Sequence, residues 1–332
     1  MTEVRSCEET ERIVSDSISA TMKQRCPLCT ATVAEEIERI RFDDIWQALA
    51  TGWSARFSNE IVDRHTPSAE TALHECLKCG LQYFAPACPG DDDFYRELTT
   101  TSASYYIQDK WDFQEAAKVI RPGDVVLDIA CGSGNFLKII GAKVCEAIGI
   151  DTNPAAVSAA RSQGLSAHCI NLADYAASNV GRFDVVTAFQ VIEHIAEVQP
   201  FVLSALACCK PGGKLILTVP NRLRFSREKF EPLDCPPHHL SRWTSEQFHW
   251  LAEFFGCRII DVRYEPATMY DYRTFLRHKI AGVGRADSLW ARLIGRIILS
   301  PTLYSLYRRH DWLGRWPLWR MSVMCVLEKA HQ

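Results

Sequence analysis

Long hydrophobic runs are missing from this 332-residue sequence. No stretch reaches the about 18 uninterrupted apolar residues expected of a membrane-spanning helix, which argues against one. A strong charge of one sign is missing too. The 37 basic and 40 acidic residues leave a formal net charge of -3. That balance creates no global field to draw in polyanions, and it argues against a dedicated nucleic-acid binder. The first twenty residues are polar and acidic with no apolar core, so the expectation is no secretory signal and a cytoplasmic chain. Internal repeats and low-complexity tracts are absent. At 47% apolar and 23% charged residues, composition excludes disorder and fibrous folds. At roughly 100–200 residues per domain, the length predicts one large domain with one or two smaller modules.

What is present in unusual number is cysteine, with fourteen. In a reducing compartment, paired spacings indicate metal more often than disulfides. Cys26-Pro27-Leu28-Cys29 and Cys76-Leu77-Lys78-Cys79-Gly80 are two such pairs. Each offers two thiolates, and together they complete a closed tetrahedral set for structural zinc with no catalytic role. His65 and His74 are less well-spaced substitutes. The long gap between the pairs predicts an inserted helix over Phe42–Trp53. Cys131 lies in a glycine-rich turn, and the other nine cysteines read as small buried hydrophobes.

From Arg121 to Tyr264, short apolar runs alternate with helical stretches. Val125–Ile129, Ala147–Asp151, Phe183–Phe189 and Lys214–Val219 have buried-strand length. Asn135–Gly141, Pro154–Gln163, Gln199–Cys209 and Ser245–Phe255 are the helical candidates, and Ser322–Leu327 reads as a last strand. This alternation implies an α/β fold with a parallel sheet covered on both faces. The first run leads into Asp128-Ile129-Ala130-Cys131-Gly132-Ser133-Gly134, a strand followed by a tight turn. Glycines at 132 and 134 let the backbone approach a ligand closely. The next strand ends in Gly149-Ile150-Asp151, where a carboxylate can accept from a ribose diol. A dinucleotide loop would carry a third glycine, but the sequence has Leu137. The preferred ligand therefore has a ribose and no pyrophosphate.

These segments, with Phe183-Asp184-Val185-Val186 and Lys210-Pro211-Gly212-Gly213, resemble the ordered motifs of class I S-adenosylmethionine-dependent methyltransferases. The match runs from about Asp124 to Val262, with Ala130 where many members have glycine. The resemblance implies a Rossmann-like seven-stranded sheet and S-adenosylmethionine as cofactor. Asp128, Ala130, Gly132 and Gly134 would then lie under the methionine part, with Asp151 on the ribose and Asp174 near the adenine amino group beside Leu172 or Ala173. Gln190 joins this cofactor set, and Tyr106 in the aromatic segment Tyr105–Phe113 is a candidate lid over the methionine. Asp151 and Asp174 can each be read instead as helix N-caps.

In such folds the acceptor lies beyond the carboxyl ends of the strands. The Asn/Asp-Pro-Pro-aromatic run of adenine N-methylation and the Pro-Cys nucleophile of cytosine methylation are both absent. Glu193-His194 resembles a pair common in the small-molecule branch of the superfamily; it either faces the acceptor or caps the next helix. Cys235-Pro236-Pro237-His238-His239 sets two imidazoles on a stiffened loop, where a histidine can take a hydroxyl proton. His239 stands where similar zinc-module sugar methyltransferases have a base-like histidine. The tyrosine that C-methylating relatives often carry three residues earlier is Pro236 here, which favours O-methylation.

The cysteine pairs look like the knuckles of a zinc ribbon. A ribbon ahead of such a domain resembles methyltransferases of sugar, polysaccharide and natural-product pathways. The implied division is a tail at 1–20, a zinc-ribbon module at 21–95 and a methyltransferase domain at 96–265. A helical insertion at 266–320 and a last strand at 321–332 complete it. Residues 271–320 carry ten basic residues against Asp271, Asp287 and Asp311. That insertion is either a lid over the acceptor pocket or a peripheral contact with anionic lipid. The expected partner is a small-molecule or glycan acceptor. The rival readings are an RNA methyltransferase gripping through ribbon and basic tail, and a catalytically silent cofactor-binding module.

Overall fold

A computed structural model of the chain describes residues 25–101, 110–224, 230–266, 268 and 320–331. The amino-terminal part forms a small antiparallel sheet from β1 (Ala34–Arg41), β2 (Glu70–Cys76) and β3 (Gln82–Ala85). Between β1 and β2 lie α1 (Phe42–Gly52) and α2 (Asn59–Arg64). The inserted helix expected from the cysteine gap is therefore present. It buries Phe42, Ile45 and Leu49 on one face, which is helical spacing. Next come α3 (Asp92–Thr101) and α4 (Trp111–Val119).

The central unit alternates β4 (Val125–Ile129), α5 (Asn135–Ile140), β5 (Glu146–Asp151), α6 (Pro154–Ser162), β6 (Ser166–Cys169), α7 (Leu172–Ala177), β7 (Phe183–Phe189), α8 (Val198–Cys208) and β8 (Cys209–Pro220). It is completed by β9 (Ser241–Arg242), α9 (Ser245–Phe255), β10 (Cys257–Pro266) and β11 (Arg320–Lys329). Seven strands make one sheet in the order β10-β11-β8-β7-β4-β5-β6. The strands β4 to β8 run parallel, and β11 and β10 join antiparallel at one edge. β9 belongs to the small sheet instead, pairing with β3 through Gln82–Arg242 and Tyr83–Ser241.

The strands form where the sequence is apolar without alternation, because both faces are covered. Leu215, Ile216, Leu217 and Val219 of β8 are all fully buried. Some helices start at side-chain caps: Asn153 accepts from Ala155 and Ala156 N–H ahead of α6. Thr244 and Gln247 form a capping box at α9, worth about 1 kcal/mol. α9 buries Phe248 and Leu251, each contributing about 1.5–3 kcal/mol on leaving water. Its Gln247 Nε2 donates to Cys79 O, and Gln199 of α8 donates to Leu28 O. Those two bonds seat both cysteine knuckles on the central unit.

Chain order steps outward from β4 to β5 and β6, then returns to β7 on the other side of β4. The crevice at the carboxyl ends of β4 and β7 is thus where a ligand is expected in an open α/β sheet.

Candidate active site

The turn after β4 is held by its own backbone. Gly134 N–H donates to Cys131 O, and Cys131 N–H donates to Ile150 O of β5. Gly134, at φ +80°, precedes α5, and a Cβ there would meet Leu165 Cδ1 at 2.4 Å. Gly132 differs: at φ +55°, nothing lies within 4 Å of where its Cβ would project. The first glycine is required by packing, whereas the second borders open space. Ala130 also sits at positive φ, +56°, a conformation that costs an L-residue roughly 1–2 kcal/mol. Alanine at this position is therefore strained rather than neutral.

Asp151, at the end of β5, accepts from Gly132 N–H through Oδ2 and from Asn153 N–H through Oδ1, both at 2.8 Å. A carboxylate has about four acceptor sites, so two remain for a ligand diol. The helix cap proposed for Asp151 is performed by Asn153, and that for Asp174 by Asn171, which accepts from Asp174 N–H. Asp174 is exposed, with Ala173 beside it exposed and Leu172 buried. Asp128 lies beneath the turn, fully buried, accepting from Thr187 Oγ1 at 2.7 Å. Burial pushes its carboxyl up to about 7. Gln190 follows β7 at φ +55° and donates to Thr218 Oγ1, which in turn donates to buried Asp112. Tyr106 and the 271–319 segment lie outside the described residues.

The segment after β7 makes a short helical turn, Ile192–His194. Neither Glu193 nor His194 caps α8, whose N-cap is Glu197. They meet the Cys235–Leu240 loop instead, tied to it by Leu240 N–H donating to Glu193 O at 2.8 Å. His194 meets His238 and His239 edge to face, and the latter two rings are tilted against each other, with centroids 4.3–4.8 Å apart. Their environment assigns the tautomers. His238 Nδ1 donates to Leu233 O at 2.8 Å, His239 Nδ1 to Asp234 Oδ1 at 3.2 Å, and His194 Nδ1 to His238 O. Tyr95 OH also lies 2.9 Å from His194 Nδ1.

Burial disfavours charge throughout this cluster. It lowers His194 to about 3 and His239 to about 4, and takes His238 well below its ordinary range. It pushes Glu193 up to about 8. Glu193 is 1% exposed, and neither carboxyl oxygen has a hydrogen-bond partner among the described residues. Burial works against the Asp234 charge as well, but Arg224 and His239 outweigh it and hold that carboxyl well below the usual range. A cavity of about 400 Å³ opens at His239, lined also by Arg222, Glu231, Asp234, Ser241 and Arg242.

The four paired cysteines come together as expected. Cys26, Cys29, Cys76 and Cys79 are buried with their sulfurs within 4.8 Å of one another. Sγ–Sγ separations of 3.5 Å (Cys26–Cys79) and 3.3 Å (Cys29–Cys76) are far beyond a disulfide. They approach the roughly 3.8 Å edge that a tetrahedron with Zn–S bonds of about 2.3 Å would have. The two knuckles match in backbone: Thr30 N–H reaches Cys26 O, and Gly80 N–H reaches Cys76 O. The cluster is compatible with a structural zinc. His65 and His74 are elsewhere, the first against Cys88 and Asp91, the second on Tyr83. Not all the remaining cysteines are buried hydrophobes. Cys145 and Cys169 are exposed and Cys257 is half-buried; each flanks a strand end at the surface. Cys7 lies outside the described residues.

Sequence reading missed Tyr95, Asp112, Arg224 and Asp234. Asp234 carried a usable signal, an acid just before the Cys-Pro-Pro-His-His run. Tyr95 carried none, since it meets His194 across 99 residues. Among the described residues, no helix is long and apolar enough to cross a membrane.

Comparison with known proteins agrees with this geometry. Residues 102–262 match the family model described as a methyltransferase domain. Over 113 residues the chain is 32% identical to a ubiquinone biosynthesis O-methyltransferase of Xanthomonas campestris pv. campestris, covering 32% of this chain and 47% of that protein. It is 30% identical over 141 residues to a probable S-adenosylmethionine-dependent methyltransferase of Mycolicibacterium smegmatis, covering 42% and 54%. The chain thus spans about half the length of these curated relatives. Among solved structures, a SAM-dependent methyltransferase from Archaeoglobus fulgidus superposes with a TM-score of 0.47 at 17% identity, covering 65% of this chain and 91% of that one.

Proposed function

We propose that the chain, whose residues 102–262 match a methyltransferase domain, is a class I S-adenosylmethionine-dependent methyltransferase that methylates a hydroxyl on a small polar acceptor such as a sugar, glycan or metabolite. One observation carries the reading: the Asp234–His239 pair opens onto a polar cavity, and the His194 end of its cluster continues directly from β7, which pairs with β4. Bound S-adenosylmethionine supplies a methyl group already activated on a sulfonium. Asp151 and the Gly132 turn would hold its ribose and methionine ends, and exposed Asp174 would accept from the adenine amino group. The two unused acceptor sites of Asp151 and the open space at Gly132 fit that ligand.

The protein's own task is then to position the acceptor and take one proton. Asp234 fixes the Nδ1–H tautomer of His239, so Nε2 carries the lone pair that can accept a hydroxyl proton. Arg222, Arg242 and Glu231 supply polar contacts for a hydroxyl-rich molecule. Arg224 keeps Asp234 ionised, so the imidazolium that forms would have a fixed counter-charge. The acceptor is read as a small molecule because nothing in the net charge favours a polyanion.

The test is calorimetric titration with S-adenosylhomocysteine, followed by transfer of labelled methyl to a panel of sugars, nucleotide sugars and phenols. The expected outcome is micromolar-range cofactor binding that Asp151→Ala abolishes, with label appearing on an oxygen. Failure of the wild-type chain to bind the cofactor would sink the proposal, and label on RNA alone would replace it.

A further inference from the structure

We propose that His194, His238 and His239, backed by Glu193, form a second metal site that takes a divalent transition ion of the zinc class. This deepens the proposed function, because it rests on reading the same cluster as the acceptor end. One nitrogen from each of the three rings lies within 4.8 Å of the others. Bonds of about 2.0–2.1 Å to a tetrahedral ion would draw them to roughly 3.3 Å apart, an adjustment within reach of small side-chain rotations.

Three further features favour an ion over a simple polar core. First, each imidazole gives its Nδ1–H to an oxygen: His194 to a backbone carbonyl, His238 to Leu233 O and His239 to the Asp234 carboxylate. Such outer partners are the usual companions of metal-bound histidines, and they leave Nε2 as the ligating nitrogen. Second, Glu193 Oε1 stands 3.8 Å from His194 Nε2 and 4.0 Å from His239 Nε2. That carboxylate is buried with no hydrogen bond among the described residues. A buried carboxyl group without a hydrogen bond is unfavourable, and a cation among these nitrogens would give it a partner. Third, the ligands are held on two short loops locked by Leu240 N–H to Glu193 O, so the donor set is preorganised.

The donors separate this site from the thiol cluster. Imidazole with carboxylate suits zinc, iron, nickel or copper, whereas four thiolates make a closed zinc site. Three nitrogens leave one tetrahedral position, for Glu193 or an acceptor oxygen. In the loaded protein His239 holds the ion rather than a proton, so its role as proton acceptor describes the metal-free protein.

The test counts ions on the full-length chain after saturation with zinc and desalting, by elemental analysis. Two ions per chain are expected. His194→Ala and His239→Ala should each fall to one. Cobalt(II) loading checks that these variants stay folded, because the thiolate-to-cobalt absorption of the cysteine site should persist while the weaker nitrogen-site bands vanish. One ion per chain in the wild type would overturn the proposal, as would two ions retained in both variants. Methyl transfer by the same samples separates the two readings. Two ions without transfer would remove the proposed function and leave the metal site standing; transfer with only one ion would do the reverse.

Discussion

The thiol cluster and the histidine cluster are both buried sets of polar donors, yet they are finished differently. Around Cys26, Cys29, Cys76 and Cys79 the backbone is paired knuckle to knuckle, and Gln247 and Gln199 close the outer shell. No cavity residue comes from that set. Around His239 the outer shell is also built, through Asp234 and Arg224, but the Glu193 carboxyl has no hydrogen-bond partner among the described residues and a cavity reaches the ring. A closed cluster stabilises a fold. A cluster with an unmet carboxylate and an opening is arranged for a ligand, because natural cores rarely leave a buried polar group unsatisfied without a use for it.

The comparison breaks most severely at the thiols. Cys76→Ser should abolish zinc retention and destabilise the chain by on the order of 5 kcal/mol or more, given zinc-site binding free energies of roughly 10–16 kcal/mol. Urea unfolding with and without chelator measures it, and an unchanged midpoint would mean the cluster contributes nothing to the fold. The histidine side should respond in rate instead of stability. His239→Ala is expected to lower turnover by about 10²–10⁴-fold while calorimetry shows cofactor affinity unchanged. A matching loss of cofactor affinity would show that the ring belongs to the other half of the site.

A third buried acid sharpens the contrast, since Asp128 is partnered by Thr187 yet still pushed up to about 7 by burial. Between about 3.9, its unfolded value, and about 7, the folded chain binds the extra proton. Stability therefore falls as pH rises through that window. Asp128→Asn keeps an acceptor for Thr187 and should flatten this slope, so that the variant gains on the wild type at pH 8 relative to pH 5. Equal slopes in denaturant melts at the two pH values would exclude the carboxyl as their source. The smallest effect is expected in the glycine turn, where Ala130→Gly relieves φ +56° and should raise stability by about 1 kcal/mol, read as a higher urea midpoint.

Much of the fold was legible because its signals are local. Buried parallel strands appear as apolar runs, and β4 and β7 begin and end where those runs do. The helix starts at Asn153 and Thr244 have short-range side-chain reasons. The cysteine pairs were legible because tetrahedral ligation needs two close pairs and little else. The site was legible only in part. Glu193, His194, His238 and His239 could each be singled out by residue type, but nothing in their spacing said that two loops 44 residues apart would interlock. Membership of β9 in the small sheet was equally hidden, because a two-residue strand leaves no pattern.

The sequence by itself determined the order of strands and helices, the acid that ends β5 and the two close pairs of thiols, since each depends on residue type over a few positions. Tertiary structure decided which polar groups share a pocket. Asp234 behind His239, Tyr95 on His194 and the buried Glu193 among them arise from packing that no local pattern fixes. There, burial sets the charge state of each group and no local pattern records its neighbours.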